Sequence, residues 1–313
     1  MTVKHIYFPN LNGIRFLAAF FVLINHLEWF KNTENVANLS QFTTVAKLGG
    51  LGVTLFFVLS GFLITYLLLT EKKIAGDINI KNFYVRRILR IWPLYFIIIG
   101  LSFFILPHFI SIKGIELNLY DKSFFIRLVL FIVMLPNLNY AAFKLVPFAS
   151  QLWSVGVEEQ FYLAWPYLNK YKSKNIADFL LVIIFGMCLL KFFLRYYILN
   201  YNAGTFATVS NNLLVHFRIQ CMAIGAIGAY ILVTNKAETL RFIYSKKGQV
   251  LALILLAISV LTPFDAGLYN DEIISIVFVV LIVNAATNPL CLFSLENKLF
   301  LFLGRISYGI YMY

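Results

Sequence analysis

The chain has 313 residues and a formal net charge of +12, and 61% of its residues are hydrophobic whereas only 13% are charged. Together with a mean hydropathy of +0.81, this composition excludes a soluble globular domain and predicts an all-α, polytopic transmembrane helical bundle. The apolar runs are too long and continuous for a membrane β-barrel. No polar basic surface suits a nucleic-acid partner, and the three cysteines are too scattered for a disulfide framework or a zinc motif.

About ten apolar segments are predicted in chain order. The second contains small residues that let another helix approach closely, namely Gly49, Gly50, Gly52, Ser60 and Gly61. The fifth, Gln151–Leu168, contains Glu158, Glu159 and Pro166, and we interpret it as re-entrant or interfacial, with a complete span as the alternative. The segments are Ile14–Phe30, Leu48–Thr70, Ile91–Ile110, Phe124–Leu138, Gln151–Leu168, Ile176–Leu199, Leu213–Val233, Val250–Pro263, Ile273–Ala286 and Leu299–Tyr313.

Basic residues indicate which side of the membrane each loop occupies. The loop Glu71–Arg90 contains six lysines and arginines against two acidic residues, so the positive-inside rule predicts that it lies in the cytoplasm. Counting back over two spans places the N-terminus on the same side. Arg15 then lies at the cytoplasmic end of the first helix, and His26 lies deeper in the membrane.

The first helix carries two ionisable residues, Arg15 and His26, which are costly inside a membrane. They are eleven residues apart, so a helix places them on nearly the same face and about 16 Å apart along its axis. This arrangement suits a long ligand with an anionic head and a reactive tail. The alternatives are that Arg15 snorkels to the lipid headgroups as a topology anchor and that His26 is a satisfied interior histidine between two helices.

Five stretches occur together along the chain: NGIRFLAAFFVLINH, GVTLFFVLSGFLIT, FYVRRILRIWPLY, WSVGVEEQFYLAWP and GRISYGIYMY. With them the chain resembles, over nearly its whole length, the acyltransferase-3 family of integral-membrane O-acyltransferases, which modify cell-surface glycans. Asn12 departs from the aspartate that the family often has there. The resemblance implies one membrane domain over residues 1–313, for which we expect a shortened last helix and no soluble accessory domain.

The resemblance also implies which residues form the site. The family signatures are a basic residue separated from a histidine by ten others, an Arg-x-x-Arg pair, an acidic pair after a tryptophan, an arginine-containing element and a terminal Gly-x-x-Ser-Tyr element. Of the acidic pair, Glu158 is preferred. In this order the signatures match Arg15 with His26, Arg87 with Arg90, Glu158 with Glu159, Arg218, and Gly304 with Ser307 and Tyr308.

Acyl transfer from a thioester to a hydroxyl requires a base, stabilisation of the oxyanion and a donor that is held in place. His26 is the candidate base, since a buried imidazole is expected to stay neutral and to accept a proton. Glu158 is the candidate partner that orients its other ring nitrogen, as in a catalytic triad. The alternative for Glu158 is a structural ion pair with an interior arginine such as Arg218.

The arginines provide the candidate donor site. Arg87 and Arg90 share a face if helical, and together with Arg15 they suit the phosphates of coenzyme A, which guanidinium groups bind bidentately. The alternative is that the Arg-x-x-Arg pair is only a positive-inside anchor. Acetyl-CoA is therefore the expected donor, and no ligand cluster predicts a metal.

These residues predict a multi-pass protein of the bacterial inner membrane. The predicted reaction transfers an acyl group, expected to be acetyl, from cytoplasmic acyl-CoA to a hydroxyl of a cell-surface glycan or glycolipid, such as a polysaccharide or lipopolysaccharide. Membrane lipid is the other expected partner. The rival interpretation is a transporter or flippase for an anionic or acylated lipid, because the same buried charges could line a translocation path.

Overall fold

The fold is taken from a computed structural model of the chain. The structure describes residues 7–109, 122–143, 145–172, 175–201 and 204–312, with the backbone only at residues 172 and 206. The predicted end of the third segment at Ile110 and the last residue, Tyr313, lie outside the described residues.

The regular structure of the described residues is entirely helical, which confirms the predicted all-α class. The α-helices are α1 (Leu11–Thr33), α2 (Thr43–Ala75), α3 (Ile80–Gly100), α4 (Phe124–Ile132), α5 (Pro136–Ala142), α6 (Leu152–Lys172), α7 (Ile176–Asn200), α8 (Gly204–His216), α9 (Ile219–Val233), α10 (Ala237–Tyr244), α11 (Lys246–Leu261), α12 (Asn270–Thr287), α13 (Lys298–Arg305) and α14 (Ser307–Met312).

Several of these helices are long and apolar enough to cross a membrane, which confirms a multi-pass protein. Within the described residues there are six candidate spans, or seven if α10 and α11, which are bent by 62° at a break, act as one span. The predicted number of about ten is not confirmed. The six spans are Leu11–Thr33, Thr43–Ala75, Ile80–His108, Ile176–Asn200, Ala207–Val233 and Gly267–Thr287.

Two of the predicted spans are broken into shorter helices. The segment Phe124–Leu138 divides into α4 and α5, because Met134 between them has a positive φ of 61° and Pro136 begins a new helix. The nine residues of α4 are about 14 Å long, less than half of a hydrocarbon core of about 30 Å. The segment Leu299–Tyr313 likewise divides into α13 and α14, which separate at Ile306.

The segment that contains Glu158 folds as one continuous helix. α6 has 21 residues, a length of about 31 Å, and Pro166 lies inside it without ending it. This helix is not among the six candidate spans. The re-entrant position predicted for Gln151–Leu168 is therefore not confirmed, and the depth of α6 in the membrane stays a prediction.

The described residues fall into two compact units, each built from stretches that are distant along the chain. The first unit takes its residues from 1–78, 167–187 and 220–311. The second takes its residues from 79–166, 188–219 and 312–313. The helices α6 and α7 therefore each contribute one part to the first unit and the other part to the second.

In the first unit, α2 and α9 cross at a very short distance. A Cβ atom added at Gly61 would lie 2.0 Å from the carbonyl oxygen of Met222, and one added at Gly225 would lie 2.0 Å from that of Val58. Each helix thus places a glycine against a backbone carbonyl of the other. Such close approach is how small residues allow membrane helices to pack without a hydrophobic driving force between them.

Glycines also govern the packing of α1 against α2. A Cβ atom at Gly52 would lie 2.6 Å from the carbonyl oxygen of Ala18, and one at Gly49 would meet the side chain of Asn25 at 2.3 Å. Gly50 has nothing within 4 Å of the same position. The prediction that small residues of the second segment permit close approach is confirmed for Gly49 and Gly52, and the structure places Gly50 on an open face.

Asn10 joins the start of α1 to the segment before α13 in the same unit. Its buried side chain donates a hydrogen bond to the carbonyl oxygen of Ala285 (2.9 Å) and accepts one from the backbone N–H of Leu295 (2.6 Å). The carboxylate of Glu296 accepts hydrogen bonds from the backbone N–H of Asn10 and from the hydroxyl of Tyr7. The beginning of α1 is therefore fixed to residues that are almost 300 positions later in the chain.

In the second unit, a buried arginine fixes irregular backbone. Arg127 on α4 is 3% exposed; its Nε donates to Asn139 Oδ1 (3.3 Å) and its Nη2 donates to the carbonyl oxygen of Leu145 (3.1 Å). Sequence analysis did not single out this residue. The hydroxyl of Tyr95 donates to the carbonyl oxygen of Phe131 (2.8 Å) and so ties α3 to α4.

Candidate functional site

The predicted site residues divide between the two units. One group of predicted residues therefore lies in each unit. The first unit contains Arg15, His26, Ser307 and Tyr308, and the second unit contains Arg87, Arg90, Glu158, Glu159 and Arg218.

Arg15 and His26 lie on one face of α1, as the spacing predicts, because eleven residues turn a helix to within about 20° of its starting direction. Ala19 and Val22, which lie between them on this face, are buried. The guanidinium of Arg15 is half-buried and its Nη1 donates a hydrogen bond to Asn12 Oδ1 (2.9 Å). Arg15 therefore lies on the packed side of the helix, and His26 lies on the same face near its other end.

By accessible surface His26 is exposed, although the protein around it still desolvates its imidazole, so the predicted burial stays a prediction. The close packing of α1 on α2 extends as far as Asn25, whose side chain lies against Gly49, and His26 follows at the end of this contact. An accessible imidazole can reach a ligand without moving a packed helix.

The terminal Gly-x-x-Ser-Tyr element packs against the start of α1. A Cβ atom at Gly304 would lie 2.1 Å from the carbonyl oxygen of Asn12, and the buried hydroxyl of Ser307 donates to the carbonyl oxygen of Gly304 (2.8 Å). Tyr308 is half-buried at the start of α14. This element thus supports the helix that carries Arg15, which gives Ser307 a structural contact within the first unit.

The Arg-x-x-Arg pair lies in the first half of α3, in the second unit. Arg90 is exposed, as is the neighbouring Arg86. Arg87 is half-buried, and its guanidinium carbon lies 5.8 Å from the ring centroid of Phe83 and 5.7 Å from that of Tyr162. A cation over two aromatic rings is attracted by their quadrupoles. One arginine of the pair is therefore fixed in place, and the other is open to a ligand.

The adjacent carboxylates of α6 face different partners, as neighbouring residues on a helix must. Glu158 Oε2 accepts a hydrogen bond from the hydroxyl of Tyr162 (3.1 Å). Glu159 Oε2 accepts one from the indole Nε1–H of Trp92 on α3 (3.1 Å). Arg87 lies within electrostatic range of both carboxylates. The second unit therefore brings together Arg87, Glu158 and Glu159, three of the residues that sequence analysis identified.

Sequence analysis favoured Glu158 and gave no role to Glu159 or Trp92. The structure shows that the other oxygen of Glu159, Oε1, is buried and has no hydrogen-bond partner among the described residues, and the same holds for Arg87 Nε. The sequence does contain a signal for Glu159, namely a second carboxylate in an apolar segment. A buried acid is costly in a membrane segment and therefore indicates a function.

The remaining candidates have more local surroundings. Arg218 lies at the break between α8 and α9, and its Nε donates to the carbonyl oxygen of Val215 (3.0 Å). Its predicted alternative role, an ion pair with Glu158, stays a prediction. Within the part of the chain that the structure describes, no group of three His, Cys, Asp or Glu side chains could hold a metal ion.

Comparison with known proteins supports the resemblance seen in the sequence. The family model described as an acyltransferase domain matches residues 8–313. The O-acetyltransferase OatA of Staphylococcus aureus (strain NCTC 8325 / PS 47) is 28% identical over 98% of this chain and 50% of its own length. The peptidoglycan O-acetyltransferase OatA of Listeria monocytogenes is 32% identical over 59% of this chain and 28% of its own length. The chain spans about half the length of the curated relatives that it matches from end to end, and no solved structure matches it.

Proposed function

The chain belongs to the acyltransferase-3 family, and on this basis we propose that it is a membrane O-acetyltransferase that moves an acetyl group from cytoplasmic acetyl-CoA to a hydroxyl of a cell-envelope glycan. The observation that carries the proposal is the family match over residues 8–313, which includes every stretch that contains a candidate site residue. The names of the two OatA relatives give the same reaction class and, for one of them, peptidoglycan as the acceptor. Peptidoglycan or a related surface polysaccharide is therefore the acceptor class that we propose.

In the proposed reaction, the oxygen of the acceptor hydroxyl attacks the thioester carbonyl of the donor. The hydroxyl proton passes to the neutral imidazole of His26, which acts as general base. The tetrahedral intermediate collapses, the C–S bond breaks, and the imidazolium returns the proton to the leaving thiolate. The products are an O-acetyl ester and free coenzyme A, so that atoms and charges balance without a metal ion or a redox partner.

The proposed donor site uses the arginines. Arg87 is fixed between two aromatic rings, and the exposed Arg90 lies one helical turn further on, where neighbouring guanidinium groups suit the phosphates of coenzyme A. Arg15 is proposed to assist in holding the donor. Glu158 is proposed to act on the base as a positioning residue, in the manner of the acid in a triad. By the positive-inside rule, the basic residues of the predicted loop Glu71–Arg90, which lie at the end of α2 and the start of α3, favour the cytoplasmic side, where coenzyme A is present.

The bacterial cytoplasmic membrane is the proposed location. Both OatA relatives come from bacteria, and the six candidate spans among the described residues are long and apolar enough to cross a membrane. The reaction then joins a donor made in the cytoplasm to an acceptor of the cell envelope.

The test uses the purified chain in lipid nanodiscs with acetyl-CoA and soluble peptidoglycan fragments. Release of the coenzyme A thiol is measured with a thiol reagent, and O-acetyl esters are counted by mass spectrometry. His26→Ala is expected to lower the rate by about 10²–10⁴, the range for loss of a general base. His108→Ala is the matched control, since His108 is exposed at the end of the α3 span.

Each outcome has a definite consequence. Loss of turnover in His26→Ala but not in His108→Ala supports the proposed base. Full activity of His26→Ala removes His26 from the mechanism. Movement of an anionic lipid by the wild-type protein without thiol release or ester formation would instead identify a transporter.

A further inference from the structure

Three buried side-chain atoms of the second unit lack hydrogen-bond partners among the described residues: Oε1 of Glu159, an acceptor, Nε of Arg87, a donor, and Oγ of Ser102. Of these three, Glu159 and Arg87 also lie within electrostatic range of each other. Leaving such an atom unpaired costs about 1–3 kcal/mol, and more when the group is charged. Nearly all buried polar groups in folded proteins are paired, so each exception requires an explanation. A donor and an acceptor that are both open, on adjacent helices of one unit, indicate a ligand that complements both.

The two open atoms are held in fixed directions. The other oxygen of Glu159 is occupied by the indole N–H of Trp92 at 3.1 Å, so Oε1 cannot turn away freely. The guanidinium of Arg87 lies over the rings of Phe83 and Tyr162. Among the described residues, neither Arg87 nor Glu159 takes part in an ion pair, although each is within electrostatic range of the other. The side chains of Arg87 and Glu159 are therefore held in place without forming an ion pair with each other.

The chemistry of the two atoms defines the ligand group. A group that satisfies both must donate one hydrogen bond and accept another, and a secondary amide does this with its N–H and its C=O. A phosphate cannot donate at neutral pH and would be repelled by the two carboxylates of α6. The thioester donor of the proposed function contains two secondary amides in its pantetheine arm, between the phosphates and the sulfur.

We propose that Glu159 and Arg87 bind an amide of the pantetheine arm of the acyl donor, with the amide N–H donating to Glu159 Oε1 and the amide C=O accepting from Arg87 Nε. This inference rests on the proposed function. This assignment refines the proposed donor site: Arg87 holds the pantetheine arm, and the exposed Arg90, one turn further along α3, holds the phosphates. Glu159 is then a donor-binding residue, and Trp92 is a positioning residue that sets which carboxylate oxygen faces the ligand.

The hydrogen bond from Trp92 makes a sharp test possible. In Glu159→Gln, the indole N–H still needs an acceptor and holds the amide oxygen, so the new NH2 group faces the N–H of the ligand. Two donors then meet, and we expect the KM for acetyl-CoA to rise about tenfold, equivalent to about 1.4 kcal/mol. In the double variant Trp92→Phe/Glu159→Gln, the side-chain amide can rotate and offer its oxygen, so the KM is expected to recover to within about threefold of Trp92→Phe alone. Leu163→Ala, at a 68% exposed position on the same helix, is the control for an unrelated change of α6.

A second comparison separates the amide from the phosphates and from the acceptor. S-acetylpantetheine keeps both amides but lacks the nucleotide and its phosphates. Glu159→Gln is expected to raise the KM for acetyl-CoA and for S-acetylpantetheine by the same factor and to leave the KM for peptidoglycan fragments unchanged. Arg90→Ala is expected to affect acetyl-CoA alone.

Three results would overturn the inference. One is a rise of the acceptor KM without a rise of the donor KM, which would assign Glu159 to an acceptor hydroxyl. Another is a penalty that disappears with S-acetylpantetheine. The third is unchanged kinetics in Glu159→Gln, which would leave only water at these atoms. Absence of turnover by the wild-type protein with either donor would refute the proposed function instead, and titration of coenzyme A binding to wild type and Glu159→Gln would still decide the amide contact.

Discussion

The crossing of α2 and α9 gives the sharpest prediction of stability. In Gly61→Ala, the new methyl group would lie 2.0 Å from the carbonyl oxygen of Met222, whereas ordinary contact begins at 3.4 Å. The helices must therefore separate locally by about 1.4 Å, in a region where Val58 and Phe62 are fully buried. Overpacking of this kind costs about 1–3 kcal/mol. Since about 1 kcal/mol shifts the Tm of a domain of 150–250 residues by about 2–4 °C, we expect a fall of about 2–12 °C.

The same helix provides a matched control. Gly50→Ala makes the same chemical change on α2 at a position with nothing within 4 Å, and alanine is the better helix former by about 1 kcal/mol. We expect its Tm to be equal to or slightly above that of the wild type. The comparison therefore separates close packing at Gly61 from any general effect of replacing a membrane glycine.

A local probe exists at the same crossing. Cys221 is fully buried next to Met222, whereas Cys188 and Cys291 are half-buried. In a background of Cys188→Ser and Cys291→Ser, thermal unfolding in detergent is followed with a maleimide dye that reacts only when Cys221 becomes accessible. If Gly61→Ala melts within about 1 °C of Gly50→Ala and Cys221 stays equally protected, the reasoning about this crossing is refuted.

Two further predictions concern polar contacts. Arg127→Lys is expected to lower the unfolding free energy by about 1–3 kcal/mol, since one ammonium cannot reproduce the guanidinium hydrogen bonds to both Asn139 and Leu145. The control is Arg241→Lys at an exposed position. Equal chemical denaturation midpoints for the two variants would contradict this prediction. The hydrogen bond from Lys170 (2.6 Å) lowers the pKa of Asp77 below its ordinary 3.8, so its contribution to stability is present above that value and is lost as the pH falls through the lowered pKa. The Tm advantage of wild type over Asp77→Asn should therefore be small at pH 7 and vanish in strong acid, and an advantage that persists there would point to another cause.

Composition and hydropathy predicted the fold class because the membrane imposes one dominant constraint: long apolar runs must be helices that satisfy their own backbone. The segments around Leu48–Thr70 and Ile176–Leu199 were accordingly found as α2 and α7. The predicted role of the small residues on α2 was also correct at Gly61, since close approach of helices needs nothing more than a missing side chain.

The failures have equally specific causes. Hydropathy could not reveal that Met134 adopts a left-handed backbone conformation and divides α4 from α5, because tertiary contacts of residues such as Arg127 hold these short helices in place. Periodicity correctly placed His26 on the face of Arg15, but it could not show where the packing partner ends and the imidazole becomes accessible. The hydrogen bond from Trp92, which lies 67 positions earlier in the chain, sets the orientation of the Glu159 carboxylate. Local sequence patterns do not reveal such a distant contact.

The contact of Asn10 with Leu295 and Glu296 has a consequence for biogenesis. During synthesis, α1 enters the membrane among the first helices, but the partners of its leading residue leave the ribosome only after almost 300 more residues have been added. Until then the side chain of Asn10 lacks the acceptor and the donor that it has in the folded protein. The last third of the polypeptide thus decides when the first helix matures, and ribosomes stalled before residue 295 should yield chains that are rapidly degraded.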